Sequence, residues 1–130
     1  MYIRRDIFMK VDILNETSLD IKDLNFESVL KKMIKEGLFR KDAECCLKLS
    51  NNNEIKELNR KYRGKNEITD VLSFPTKCKE IPFIGDIIID VSQADKQKED
   101  KTLHEEIIDL FIHGLLHLAG KNHNEMKGYM

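Results

Sequence analysis

The sequence has no tryptophan, and only two prolines and six glycines among 130 residues. That poverty excludes collagen-like, proline-rich and glycine-rich low-complexity chains. No apolar run approaches the ~20 residues that a membrane helix needs. Charge of one sign is also missing: the formal net charge is −1, so global charge gives no reason to read nucleic-acid binding. The three cysteines, Cys45, Cys46 and Cys78, are odd in number, and two of them are adjacent. This argues against a disulfide framework and for a reducing compartment. No C-x-x-C pair exists, so the cysteines read as buried structural residues and not as metal ligands. The amino-terminal stretch has Arg4 and Arg5, but Asp6 and Lys10 break the apolar run behind them. With no small-residue cleavage site either, no signal peptide is expected, and a cytoplasmic location follows.

What is present points to a globular chain. Charged residues make up 35% and hydrophobic ones 41%, the balance of a soluble folded protein rather than a disordered one. The length suits a single domain spanning residues 1–130 with a real core.

Apolar spacing predicts the elements. Residues 8–14 alternate, with Met9, Val11 and Ile13 on one face, as a half-buried strand does. Phe26, Val29, Leu30, Met33 and Ile34 recur at helical spacing, with Asn25 to cap the helix and Gly37 to stop it. Residues 43–49 alternate again. Asn51 and Glu54 suit a capped helix start, and Ile55, Leu58 and Tyr62 give that helix an apolar stripe. Residues 70–74 read as a short strand ended by Pro75, and residues 84–91 as a more deeply buried strand. Ser92 is expected to cap a short polar helix. Thr102 and Glu105 have capping-box spacing, so a final helix should start near residue 103 and end at Gly120. The order β-α-β-α-β-β-α-α predicts an α+β (mixed α/β) domain: one four-stranded mixed sheet packed with helices.

That final helix is apolar around most of its surface, apart from Glu106, Asp109, His113 and His117. Their spacing of three, four and four places them on one stripe. A polar stripe on a buried helix must meet polar partners, water or an ion. Histidines four apart can aim at one ion, and zinc with nitrogen ligands at ~2.0–2.1 Å needs a third donor from elsewhere. His123 lies just past Gly120, where a left-handed glycine can turn the chain back. His113, His117 and His123 would then form a three-histidine site for one zinc-like divalent ion, with a fourth position open, as in catalytic zinc sites. The bland alternative is a set of satisfied core histidines. Against it, three of the four histidines fall between positions 113 and 123. His104 receives no role.

The spacing H-x3-H-x5-H also matches the H-E-x-x-H-x-x-G-x-x-H pattern of metzincin proteases. Gly114 stands where those enzymes carry the glutamate that activates water. The helix can hold an ion but lacks the protease's base. Arg60, Lys61, Arg63 and Lys65 form a local basic cluster around Tyr62, which by itself reads as a solvated helix end.

The residues His113-Gly-Leu-Leu-His-Leu-Ala-Gly-Lys-Asn-His123 resemble the H-G-x-L-H-L-x-G-x-D-H signature of the YbeY family of bacterial endoribonucleases and ribosomal RNA maturation factors. Leu58-Asn-Arg-Lys-Tyr-Arg-Gly-Lys-Asn-Glu-Ile-Thr-Asp-Val-Leu-Ser-Phe-Pro75 is similar to that family's L-N-x-x-Y-R-G-x-x-x-x-T-D-V-L-S-F-P, and Gly85-Asp-Ile-Ile-Ile89 to its G-D-I strand. The resemblance implies a mixed α/β fold with a cleft between the sheet and the histidine-bearing helix. It also implies one divalent ion, Zn2+ foremost, on the three histidines. It implies hydrolysis of RNA in small-subunit ribosomal RNA processing, including 3′ end maturation, and in ribosome quality control. By the same match Arg63 corresponds to the family's functionally important arginine, a catalytic phosphate contact; Lys61 and Lys65 are then candidate RNA-backbone contacts. Asp86 and Asp109 are speculative general bases. Two features depart from the family pattern. Asn122 replaces the aspartate before the third histidine, and the chain ends at Met130, where relatives usually continue for another helix; one side of the domain is expected to be less covered. Two rival readings stand beside the nuclease: another zinc hydrolase such as a peptidase, which Gly114 opposes, and a ribosome-associated metal-binding module with little catalysis.

Overall fold

The computed structural model describes residues 10–63, 70–78 and 80–120. The element order is β1 (Val11–Asn15), α1 (Phe26–Lys35), β2 (Glu44–Ser50), α2 (Asn52–Arg63), β3 (Val71–Pro75), β4 (Phe83–Asp90), α3 (Val91–Gln97) and α4 (Leu103–Leu118). The strands form one sheet in the order β1-β2-β4-β3. β1 and β2 pair parallel, β2 and β4 pair parallel, and β3 runs antiparallel on β4. This is the mixed four-stranded sheet that the spacing predicts.

The sheet alternation sorts residues between two cores. On one face Val11, Cys45, Leu47, Leu49, Ile87 and Ile89 pack with Phe26, Leu30 and Met33 of α1 and with Ile107, Leu110, Phe111, Leu115 and Leu116 of α4. The Phe26 and Phe111 rings meet edge to face, 5.1 Å between centroids, and join the two helices. On the other face, α2 sets Ile55 and Leu58 against Leu72, Phe74 and Ile88.

Helix ends follow local chemistry. The Asn25 side chain accepts the Ser28 amide at 3.0 Å, and Gly37 takes φ +84° beyond α1. At α4 the capping box forms: Glu105 N–H donates to the Thr102 hydroxyl, and Thr102 N–H to the Glu105 carboxylate.

β3 ends at Pro75, as expected; because β3 is an edge strand, the missing N–H of this last residue costs no ladder bond. Three expectations change. Asp90, not Ser92, caps α3: β4 runs straight into the helix, and the buried carboxylate accepts the Gln93 amide at 3.0 Å. Glu54, read as the capping partner of Asn51, takes the Ser50 hydroxyl at 2.5 Å and the Lys48 ammonium. Cys78 is exposed, whereas Cys45 is buried and Cys46 half-buried. Residues 8 and 9 of the first predicted strand and the Tyr62 side chain lie outside the described residues and side chains.

Candidate functional site

Two of the three predicted ligands stand together. His113 and His117 occupy successive turns at the carboxyl end of α4, with ring centroids 5.1 Å apart and planes inclined by 32°. His113 is half-buried and His117 exposed, so the helix emerges from the core where its imidazoles lie. Gly120 takes φ +81° immediately beyond the helix, the left-handed conformation that the turn toward position 123 calls for. His123 itself, with Asn122, Lys65 and the Arg63 side chain, lies outside what is described. Among the described residues no three His, Cys, Asp or Glu side chains come together as a ligand set. The pair of neighbouring imidazoles fits the donor chemistry of a zinc-like ion, and a third ligand is required to complete it.

The rest of the polar stripe finds partners of its own. Glu106 is 6% exposed and accepts from Gln97 Nε2 at 2.9 Å and from Lys101 Nζ at 3.3 Å. Asp109 pairs with the same Lys101 at 2.8 Å. The hydrogen bonds that Lys101 donates to Asp109 and Glu106 hold its ammonium above its ordinary pKa. The stripe therefore splits into an ion-paired half and a histidine half.

The packing of α4 explains two glycines. A Cβ on Gly114 would lie 2.8 Å from Ile87 Cγ2, so position 114 faces the sheet. A glutamate there would run into Ile87 instead of reaching an ion, and the lack of a protease base has a steric cause. A Cβ on Gly85 would lie 2.5 Å from the Phe74 carbonyl oxygen and 2.8 Å from Leu118 Cδ2. Ser73 donates its hydroxyl to the Gly114 carbonyl at 3.4 Å. Ser73, Gly85 and Gly114, one from each of the three sequence motifs, thus meet where α4 lies against β3 and β4. Sequence reasoning passed over Ser73 and Gly85 as contacts, although both stand in the quoted motifs. Nothing in the local pattern signalled Gln97 or Lys101.

The two speculative bases fare poorly. Asp109 is held by Lys101. Asp86 sits between Gly85 and Ile87, which face α4, so it points to the opposite side of the sheet. There it lies in register with Cys46, which is in register with Asp12. Burial raises the Asp86 pKa. Burial, then the charges of Asp86, Asp12 and Glu44, push the Cys46 thiol up to about 11. A thiol so disfavoured as thiolate is a poor ligand and nucleophile.

In the basic cluster, Arg60 pairs with Glu57 one turn back on α2, as a solvated helix end does. Lys61 is exposed on the same helix. No helix among the described residues is long and apolar enough to cross a membrane.

Comparison with known proteins adds three findings. A family model described as Endoribonuclease YbeY matches residues 12–129. A protein named Endoribonuclease YbeY from Pelagibacter ubique is 37% identical over 133 residues, covering 93% of this chain and 87% of its own. One of the same name from Aliarcobacter butzleri is 41% identical over 117 residues, covering 87% and 79%. Among solved structures, a Thermotoga maritima protein determined in solution superposes with a TM-score of 0.57 at 29% identity, covering 87% of this chain and 74% of that one.

Proposed function

The chain belongs to the endoribonuclease YbeY family, and from that premise we propose that it is a cytoplasmic, zinc-dependent endoribonuclease. Its substrate is single-stranded ribosomal RNA, in small-subunit 3′ end maturation and ribosome quality control. The observation that carries this reading is the pair of adjacent imidazoles at the exposed end of an otherwise buried helix, within the family's signature. His113, His117 and His123 would hold the ion. Such an ion, when bound, supplies Lewis acidity toward a phosphate oxygen and acidifies water toward a pKa of ~7.

The chain's own residues do the rest. Arg63 ends α2, just before the segment that leads into β3. Its planar guanidinium grips the scissile phosphate through two hydrogen bonds and offsets charge that builds in the transition state. Lys61 and Lys65 hold the RNA backbone by charge alone, without reading sequence. The contact between Gly114 and Ile87 speaks against the peptidase alternative, because no side chain at position 114 can act on the site.

Single-turnover cleavage of a ribosomal RNA fragment tests the reading. Arg63→Ala should lose ~100- to 1,000-fold in rate, the scale of one lost oxyanion-type donor, with metal content intact. Arg63→Lys should recover only part of that. Lys61→Ala should weaken RNA binding modestly and in a salt-dependent way. Wild-type-like cleavage by Arg63→Ala, with Lys61→Ala the poorer enzyme, overturns the assignment of the arginine.

A further inference from the structure

β3 is an edge strand, and its backbone faces two ways. Thr76 N–H donates to the Ile84 carbonyl at 3.1 Å, and Asp90 N–H to the Asp70 carbonyl at 2.9 Å. Hydrogen-bonded and non-bonded pairs alternate along an antiparallel ladder. The register sets Leu72 opposite Ile88 and Phe74 opposite Asp86, so Leu72 and Phe74 direct their N–H and C=O groups to β4. Val71 and Ser73 turn both groups outward, and Pro75 turns out a carbonyl alone. Among the described residues no strand lies beyond β3, and no backbone bond reaches these outward groups.

This open edge runs beside the imidazoles, because α4 and β3 travel in the same direction. At their starts Gln97 Nε2 donates to Asp70 Oδ2 at 2.8 Å and to Glu106 Oε2 at 2.9 Å. Midway the Ser73 hydroxyl meets the Gly114 carbonyl. At their ends Leu118 and Pro75 both close on Gly85. The step from Glu106 to His113 is about 10 Å along a helix, and that from Asp70 to Ser73 about 10 Å along a strand. Glu106, His113 and His117 share one stripe of α4, and Glu106 meets Asp70 through the Gln97 amide. The stripe therefore follows the β3 edge, with the imidazoles level with its second half.

We propose that the open edge of β3 seats single-stranded RNA beside the imidazole pair, with the outward backbone groups of Val71 and Ser73 hydrogen-bonding the edges of its bases. This deepens the nuclease reading above and rests on it. The chemistry of the edge selects the occupant. Val71 and Ser73 each offer one donor and one acceptor. A phosphate oxygen only accepts, whereas the edge of a base offers both kinds of group. Asp70, Glu106 and Asp109 also put negative charge at the upstream end of the edge, which disfavours a phosphate there. Another polypeptide strand is disfavoured by Pro75, which withholds the next N–H, as prolines do on edges protected from strand addition. In a duplex the Watson–Crick edges are already paired, so this seat admits single strands alone.

The test is amide hydrogen exchange in the full chain, read by NMR, with a chelator present to prevent cleavage. The probe is a short single-stranded oligoribonucleotide of mixed sequence, alone or annealed to its complement. At a single-strand concentration ~10 times its Kd, the Val71 and Ser73 amides should exchange ~10-fold more slowly. Leu72 and Phe74, bonded to β4, should be slow with or without RNA, and the duplex should protect neither outward amide. Ser73→Pro removes one outward donor at no cost in ladder bonds and should weaken single-strand binding ~2- to 10-fold, the scale of one hydrogen bond. Ser73→Ala keeps that donor and should bind as the wild type does, which separates the N–H from the hydroxyl on Gly114. If Ser73→Pro fails to fold, exchange in the wild type decides alone. Unchanged exchange of Val71 and Ser73 in bound RNA, or equal protection by the duplex, overturns the proposal. Protection by an extended peptide and not by RNA overturns it in favour of a protein partner, and protection that grows with protein concentration alone does so in favour of a second copy of the chain. A wild type whose two amides are protected but which cleaves no RNA with metal restored defeats the nuclease reading and leaves the seat standing. Cleavage without protection does the reverse, so the two failures are told apart.

Discussion

Replacing Gly114 with alanine pits two opposed effects against each other, and the structure decides which wins. Alanine is the better helix former by about 1 kcal/mol. Its Cβ, however, would lie 2.8, 3.1 and 3.2 Å from Cγ2, Cδ1 and Cγ1 of Ile87. Ile87 has no exposed surface, and its strand is bonded to Leu47 on one side and Ser73 on the other. These atoms belong to a β-branched side chain in the middle of the sheet, so the helix must move. Overpacking of this kind costs about 1–3 kcal/mol, which leaves Gly114→Ala destabilising by roughly 0–2 kcal/mol after the propensity gain. Ile87→Ala removes all three opposing atoms and costs about 2–5 kcal/mol by itself. In that background Gly114→Ala should become neutral or stabilise by up to about 1 kcal/mol. Urea unfolding of the four proteins measures the coupling. The reasoning is refuted if Gly114→Ala stabilises the otherwise unchanged protein, or costs the same whether or not Ile87 is present.

Two further outcomes follow from the site and its surroundings. Elemental analysis should find about one divalent ion per chain, reduced to background in the His113→Ala/His117→Ala double variant; equal metal in both proteins contradicts the ligand assignment. Burial, partly countered by the Gln93 and Ser92 amides, raises the pKa of the Asp90 carboxyl from its ordinary 3.8. A raised carboxyl favours the folded state while protonated, and stability falls as pH climbs through the unfolded value toward the folded one. Asparagine caps a helix as well as aspartate does, so Asp90→Asn should match the wild type in urea midpoint near pH 3 and exceed it at neutrality; a constant difference across pH counts against this.

The order and type of the eight described elements match the sequence reading: apolar pattern marks seven of them, and the short polar α3 was read from a capping residue at its start. Asn25, Gly37, Thr102 and Glu105 marked helix ends correctly because capping is local chemistry. Where the expectation missed, the deciding partner lay in another element. Glu54 turns to Lys48 and Ser50 on the preceding strand. Asp86 alternates away from α4, which no reading of charge alone can reveal. His113 and His117 were legible because two residues four apart on a helix must be neighbours. Gln97 was not, since its partners sit 27 and nine positions away and only the folded chain brings them to it.

The helix that presents the imidazoles is also the cover of the larger core. Phe111, Leu115 and Leu116 are fully buried, and α4 is the last described element to leave the ribosome. Until it does, Leu47, Leu49, Ile87 and Ile89 lack their principal covering, and α1 alone covers only part of that face. A half-synthesised chain is thus an open sheet with exposed apolar surface, the kind of species that aggregates or recruits chaperones. The same docking event that closes the core sets His113 and His117 at the surface beside the β3–β4 edge. Closure of the core and presentation of the two imidazoles are one step, so a chain that fails to close its core also fails to set this pair side by side at the surface.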